Sequence, residues 1–336
     1  MRRVLVTGGA GFIGHRLVER LSETDSTVTV VDNLSNANPS FLDTLKGSGQ
    51  TLKQARHPIK LNKNASVYVA DIRDKESVLH IAKREEIDTC IHLAAKISVP
   101  DSIRNAEETI DINVKGTLNV LNACSKVHAK KFVFASSSAV YGESDVLPIP
   151  EERQLDPLTP YGASKIAGEV LVSSFYKSEK IQNSISLRFF NVFGEGQNYQ
   201  YAGVITKFAE RLSSRLPPVL YGDGTQVRDF IFLEDVVNSI LLAANEGKMD
   251  EFYNGRIINV GTGKATRIKD LAQNMANLFA LDVEPVLAEH RKGDINKSVA
   301  DISKLTNALG YIPDSDMEMS LKKTFAKQIF NLRYDN

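Results

Sequence analysis

Short, continuously apolar runs recur along the first half of the chain, separated by longer stretches in which apolar residues return at helical spacing. VLVTGG, VTVVDN, VYVADI, CIHLAA and FVFASS read as strands, and residues 12–22, 74–85 and 101–128 as helices. Strand then helix, repeated, predicts an α/β fold: a Rossmann-like, doubly wound parallel sheet. Parallel strands are covered on both faces, which explains runs that are apolar throughout rather than alternating. Residues 36–64, rich in Asn, Ser, Lys and Gly, predict a surface excursion between the second and third strands. After ISLRFFNVFG (185–194) the pattern loosens. GEGQNYQ, RLPPVLYGDGTQVRD and EHRKGDINKS are polar and punctuated by Gly and Pro, and predict a smaller α/β substrate-binding domain over the carboxyl edge of the sheet. The expected division assigns residues 1–185 and about 228–244 to the sheet domain, and about 186–227 and 245–330 to the smaller one.

Composition narrows the partners. The 336 residues carry 41 Lys+Arg against 41 Asp+Glu, so nothing in the net charge favours a nucleic acid or a membrane surface. The opening MRR and its apolar run end in a glycine cluster, so they read as a first strand and not as a leader. No segment approaches the ~18 uninterrupted apolar residues of a membrane helix. Cys90 and Cys124 each sit in an apolar pattern and are expected to be buried thiols, which favours a cytoplasmic location. No metal is expected.

The segment Thr7-Gly8-Gly9-Ala10-Gly11-Phe12-Ile13-Gly14 follows the first strand and opens a helix. Glycines let the backbone turn tightly against a pyrophosphate, while the helix N-terminus offers free N–H groups and its positive dipole end. Asp32 closes the second strand, beside Asn33, where an acid bonds a ribose diol. Its charge would repel a 2′-phosphate, so NAD is favoured over NADP. Asp71-Ile72 closes the third strand within reach of an adenine; taken alone, it is an ordinary strand-end carboxylate.

Tyr161 and Lys165 stand four apart in PYGASKIAGEVLVSSFY, which reads as a helix after Pro160, so they share a face. A phenol of pKa near ~10 is a poor base at neutral pH. A neighbouring ammonium and a positive nicotinamide ring would favour the phenolate. Tyr176 and Lys180 have the same spacing. What separates the pairs is Ser137, at the end of KFVFASSS, where active sites of such sheets form. Its hydroxyl would bond a reacting oxygen and pass a proton to Tyr161. Tyr176 lacks such a partner and reads as packing.

The glycine motif, Asp32, Asp71-Ile72, His92-Leu93-Ala94-Ala95, Ser136 to Gly142 and Tyr161-x-x-x-Lys165 occur in order. Together they resemble the extended short-chain dehydrogenases/reductases, in their UDP-sugar epimerase/dehydratase branch. Arg188 to Gly194, Tyr221 to Gly224, Arg228 to Ile231 and Arg291 to Asp294 look like substrate-domain motifs of that family. The resemblance implies an NAD cofactor held by Gly8, Gly11, Phe12, Ile13, Gly14, Asp32, Asn33, Asp71, Ile72, Ala94, Ala95, Tyr161 and Lys165. It implies catalysis by Ser137, Tyr161 and Lys165. On the substrate side, Asn191 would meet the phosphate or sugar, Arg228 and Arg291 the diphosphate, Asp294 the ribose and Tyr221 the uracil. Lys96 occupies a position that varies in the family and is assigned no role.

The family begins its reactions by removing hydride from sugar C4. Dehydratases then use an Asp-Glu pair after the catalytic hydroxyl, and decarboxylases place a glutamate there; this chain has Ser138 and Ala139. The expected reaction is therefore C4 epimerisation of a UDP-hexose. A dehydratase or decarboxylase, or a non-catalytic NAD-binding regulator on the same fold, stands as the alternative. Ser298 matches a pocket-wall position that is often tyrosine in epimerases restricted to UDP-glucose and UDP-galactose. A serine there implies room for UDP-N-acetylglucosamine and UDP-N-acetylgalactosamine. The family also pairs through two helices per subunit, so a homodimer is expected through 101–128 and 160–180, with Ile110, Val114, Leu118 and Leu121 as the apolar stripe.

Overall fold

The computed structural model describes residues 2–47, 57–197, 203–245, 255–290 and 295–334. The first half of the chain lays down β1 (Arg3–Thr7), β2 (Thr27–Asp32), β3 (Ile59–Lys60), β4 (Ala65–Val69), β5 (Thr89–His92), β6 (Lys131–Ser137) and β7 (Asn183–Phe189). Short strands follow: β8 (Asn191–Phe193), β9 (Val219–Tyr221), β10 (Val227–Arg228) and β11 (Phe230–Phe232). β12 (Arg256–Val260), β13 (Thr266–Arg267), β14 (Val286–Ala288) and β15 (Lys297–Ser298) complete the set. Eight of them form one sheet in the order β12-β7-β6-β5-β1-β2-β4-β3, parallel except where β3 runs against β4.

Alternation along the strands feeds two cores. Val4 and Val6 of β1 face one apolar cluster, and Leu5 between them faces the other. The first is covered by α1 (Phe12–Ser22), α2 (Pro39–Gly47), α9 (Leu233–Ala244) and α11 (Ser303–Leu309). The second is covered by α3 (Lys75–Arg84), α6 (Thr117–Lys126) and α7 (Pro160–Lys177). Asp74 starts α3 by accepting the N–H groups of Glu76 and Ser77. A third core, built on Phe208, Leu271 and Phe279, joins α8 (Val204–Ser213), α10 (Ile268–Leu278) and α12 (Met317–Tyr334) beside the carboxyl edge of the sheet.

Three expectations change. β12 lies in residues assigned to the smaller domain, yet it pairs with β7 along its whole length as the edge strand of the large sheet. α11 also belongs there, because Leu305, Ala308 and Leu309 enter the sheet core. The excursion 36–64 is more than surface: α2 sends Phe41 and Leu45 into that core, two anchors that the polar composition obscures. The helix expected over 101–128 is interrupted. It comprises α4 (Val99–Arg104), α5 (Ala106–Ile110), a π-helical turn over Asp111–Gly116, and α6. That turn shifts the helical phase, so the proposed stripe is split. Ile110 is exposed, whereas Leu121 is buried in the core and Leu118 packs against it.

Cys90 and Cys124 are free thiols with no exposed surface. Among the described residues no helix is long and apolar enough to cross a membrane.

Candidate active site

β1 is flanked by β2 on one side and β5 on the other, so the chain's winding reverses at β1. Connections then leave to opposite faces, and a crevice opens at the strands' carboxyl ends. A cavity of about 420 Å³ lies there. Gly8, Gly11, Phe12, Ile13 and Gly14 form one wall, Asp32, Asn33, Asp71 and Ile72 line it as well, and Ala94 and Ala95 follow where the loop after β5 packs on Gly8. Tyr161 and Lys165 lie on the same cavity, so the structure brings together every cofactor residue expected from the sequence.

The glycines are a steric requirement. Gly8 has φ +73°, and a Cβ on Gly14 would stand 2.1 Å from the Gly8 carbonyl oxygen. Gly11 caps α1 without a side chain, so the first N–H groups of the helix face the cavity unshielded by one. Asp32 accepts the N–H of Ala10 at 2.9 Å and of Leu34 at 2.8 Å, and burial raises its pKa. Each carboxylate oxygen has capacity for one further donor such as a ribose hydroxyl. Asn33 donates to Asp71, which the Arg73 guanidinium holds well down, at about 2. The donor set and the turn fit a dinucleotide.

The candidate reacting groups come from two elements that touch. β6 ends at Ser137, whose Oγ accepts the N–H of Ala139 and caps the tight turn Ser138–Val140. Thr159 caps α7, with Pro160 in its first turn. A Cβ on Gly162 would lie 2.5 Å from the Ala139 carbonyl oxygen, so glycine lets the start of α7 press onto that turn. This contact sets the Ser137 hydroxyl beside the Tyr161 phenol, whose ionised form it favours. Lys165, one turn on, donates to the Ala135 carbonyl at 2.8 Å, with its ammonium 5.7 Å from the centre of the Tyr161 ring. Burial pushes Lys165 down to about 8, partly opposed by Glu169.

Tyr161 departs from expectation. Burial raises its pKa, and the opposing influence is the Ser137 hydroxyl, not the ammonium, which is engaged by Ala135. Tyr176 packs its ring over Gly255, and Lys180 lies 5.0 Å from the Phe175 ring, so this second pair is built into packing.

The substrate side is partly seen. Asn191 donates to the Asp229 carbonyl at 2.8 Å, where β8 meets β11. Arg228 and Ser298 are register partners in β10 and β15, so their side chains emerge on one face. Ser298 is buried, and Tyr221 is partly exposed at the end of β9. Arg291 and Asp294 lie outside the described residues. Arg188, part of a motif assigned to the substrate domain, is instead buried in the main sheet, with Nε and Nη2 donating to Glu169 and Nη1 to the Glu151 carbonyl. Phe189, read as part of a substrate-domain motif, and Lys96, assigned no role from the sequence, both line the dinucleotide cavity. Lys96 follows the apolar CIHLAA run, where an ammonium would be conspicuous beside a nucleotide pocket.

The cavity reaches Tyr161 and Lys165, with Ser137 beside them, an arrangement that could couple hydride transfer at a bound dinucleotide to proton transfer. Residues 4–261 match the model of the NAD dependent epimerase/dehydratase family, and the chain belongs to that family. NAD is accordingly its cofactor. The chain is similar to a UDP-glucose 4-epimerase from Thermotoga maritima solved with UDP-glucose, with TM-score 0.86 and 34% identity over 99% of both chains. It is equally similar to a UDP-N-acetylglucosamine 4-epimerase from Methanobrevibacter ruminantium solved with UDP-N-acetylmuramic acid, with TM-score 0.86 and 34% identity, covering 98% of this chain and 99% of that one. A UDP-glucuronate 4-epimerase of Thermodesulfobacterium geofontis is 32% identical over 95% of this chain and 94% of its own.

Proposed function

We propose that this protein is a UDP-sugar 4-epimerase. The observation that carries the reading is the turn after Ser137. Ser137, Tyr161 and Lys165 converge, and the next two residues, Ser138 and Ala139, supply no carboxylate to eliminate water or assist loss of carbon dioxide. A keto sugar held there has one productive outcome, return of hydride to its other face. The likeness to three UDP-sugar 4-epimerases with different sugar substituents supports the class of reaction.

Bound NAD supplies the hydride acceptor at sugar C4 and, once reduced, the donor. Tyr161 takes the proton of the 4-hydroxyl directly or through Ser137. The Lys165 ammonium is fixed by Ala135 with its charge 5.7 Å from the Tyr161 ring centre, while the Ser137 hydroxyl favours the phenolate against the cost of burial. Tyr161 then returns the proton to the oxygen of the inverted sugar. Arg228, with Arg291, holds the diphosphate while the hexose turns. The room left by Ser298 admits N-acetylated hexoses beside UDP-glucose and UDP-galactose. We also assign a homodimer, with exposed Ile103, Ile110 and Val170 on α4, α5 and α7 as the apolar contacts in place of the stripe through Leu121.

Incubation with a panel of UDP-sugars, followed by chromatography and mass spectrometry, tests the reading. An isobaric product that co-elutes with the authentic C4 epimer is the expected result. Loss of water would establish a dehydratase and loss of carbon dioxide a decarboxylase. An unchanged panel would support a non-catalytic NAD-binding protein.

A further inference from the structure

The cavity lining contains three cations, Arg73, Lys96 and Lys165. Two are committed. Arg73 is held by Asp71 at 2.8 Å and lies 3.5 Å from Asp111, at the adenine end. Lys165 is buried at the opposite end on the Ala135 carbonyl. Lys96 stands on the loop that leaves β5 and pairs with Glu108 of α5, which also lines the cavity.

The position of Lys96 follows from the contact between two strand ends. A Cβ on Gly8 would lie 2.6 Å from the backbone nitrogen of Ala94, so the loop after β5 passes directly over the phosphate turn. Lys96 comes two residues later. Its backbone is pinned at both groups by one side chain: Asn113 accepts the Lys96 N–H at 2.7 Å and donates to its carbonyl at 3.0 Å. The same Asn113 amide donates to Ser164, the neighbour of Lys165. The ammonium is thus delivered from a fixed backbone to the cavity that the glycine turn also lines as one wall. That wall answers a pyrophosphate only with N–H groups and the helix dipole, because Phe12-Ile13-Gly14 brings no charge.

We infer that Lys96 is a cofactor-binding residue that contacts the pyrophosphate of the dinucleotide, and that Glu108 holds the ammonium in place and competes for it. This deepens the epimerase reading, since a site that never releases its cofactor during turnover gains from a second grip on the phosphates. The Lys96–Glu108 pair is partly solvated, with side chains 23% and 39% exposed, so exchanging the carboxylate for a phosphate costs little.

Binding of nucleotide fragments to the full chain, freed of bound dinucleotide, tests the inference by calorimetry. Lys96→Met should weaken ADP-ribose roughly tenfold, as loss of a hydrogen bond between charged groups does. Adenosine, which lacks phosphate, should bind the variant as it binds the wild type. Glu108→Gln should act in the opposite sense and tighten ADP-ribose by about 2–5-fold, the scale of one part-exposed ion pair. If Glu108→Gln weakens ADP-ribose as Lys96→Met does, the pair is only a brace and the inference fails. Equal losses for adenosine and ADP-ribose would overturn it as well. A wild-type chain that binds neither fragment would instead sink the reading of the cavity itself.

Discussion

Glu169 lies one turn beyond Lys165 on α7, and both its oxygens close on Arg188 of β7 at 2.8 Å. The Ser136 hydroxyl donates to the same carboxylate at 2.5 Å. Ser136 precedes Ser137 at the end of β6, so one buried carboxylate ties together the strand that presents Ser137, the helix that presents Tyr161 and Lys165, and the next strand of the sheet. Arg188 is further enclosed by the Tyr141 ring and the Glu151 carbonyl.

Breaking this pair from one side leaves a buried charge without its partner. Glu169→Gln and Arg188→Met should each destabilise the protein by about 3–5 kcal/mol. Urea unfolding at neutral pH measures this. A loss below about 1 kcal/mol would mean that solvent reaches the pair.

Tyr161→Phe keeps the ring and its packing but removes the proton acceptor. Turnover should fall by about 10²–10⁴-fold with NAD affinity nearly unchanged. Tyr176→Phe is the matched control, because Tyr176 packs over Gly255 away from the cavity, and it should be close to silent. Near-wild-type turnover of the first variant, with the control also active, would remove Tyr161 from the mechanism.

The site was legible where a residue type has few structural reasons to stand in its place. Gly8, Gly14 and Asp32 at the ends of apolar runs, and Tyr161 four before Lys165 with Ser137 upstream, announce themselves because turn sterics and proton transfer restrict those positions. The folded units were legible where period and burial agree, as in β1, β2, β4, β5 and β6. They were obscured where a tertiary contact decides. β12 pairs with β7 across the 66 residues, 190–255, that separate the two strands, which no local pattern records. The π-turn at Asp111–Gly116 changes which residues face outward without changing composition. Glu169 and Arg188 read as ordinary charges because each is buried only by virtue of the other.

Lys165 carries a stability penalty with a defined pH window. Burial lowers its pKa from 10.5 to about 8 in the folded protein. Below about 8 the ammonium is charged in both states and the full cost of burying it applies. Between about 8 and 10.5 the unfolded chain holds more protons than the native state, so native stability rises with pH. Lys165→Met has no group that titrates in this range. Relative to the wild type, the variant should be most stable near neutral pH and lose roughly 3 kcal/mol of that advantage between pH 8 and 10.5. Urea midpoints of both proteins at pH 7, 8.5 and 10, without nucleotide, give the comparison. A difference independent of pH would show that Lys165 titrates like a solvated lysine.

We propose that sugar choice turns on Ser298. Its carbonyl accepts the Asp229 N–H at 2.9 Å, and its register partner is Arg228, proposed above to hold the diphosphate. Its side chain therefore emerges on the same face as that guanidinium, where the sugar joined to the diphosphate would lie. Ser298 is buried, so a phenol introduced there has to occupy the space that the hexose needs or displace its neighbours. An acetamido group at C2 requires more of that space than a hydroxyl. Ser298→Tyr should reduce turnover of UDP-N-acetylglucosamine and UDP-N-acetylgalactosamine by at least ~10-fold more than that of UDP-glucose and UDP-galactose, since exclusion by a bulky side chain acts on the larger partner. Both pairs are compared by kcat/KM, with thermal unfolding alongside to confirm that the variant is folded. Equal losses in a folded variant would place Ser298 away from C2. A wild type inactive on the acetylated pair would show that another part of the pocket excludes them.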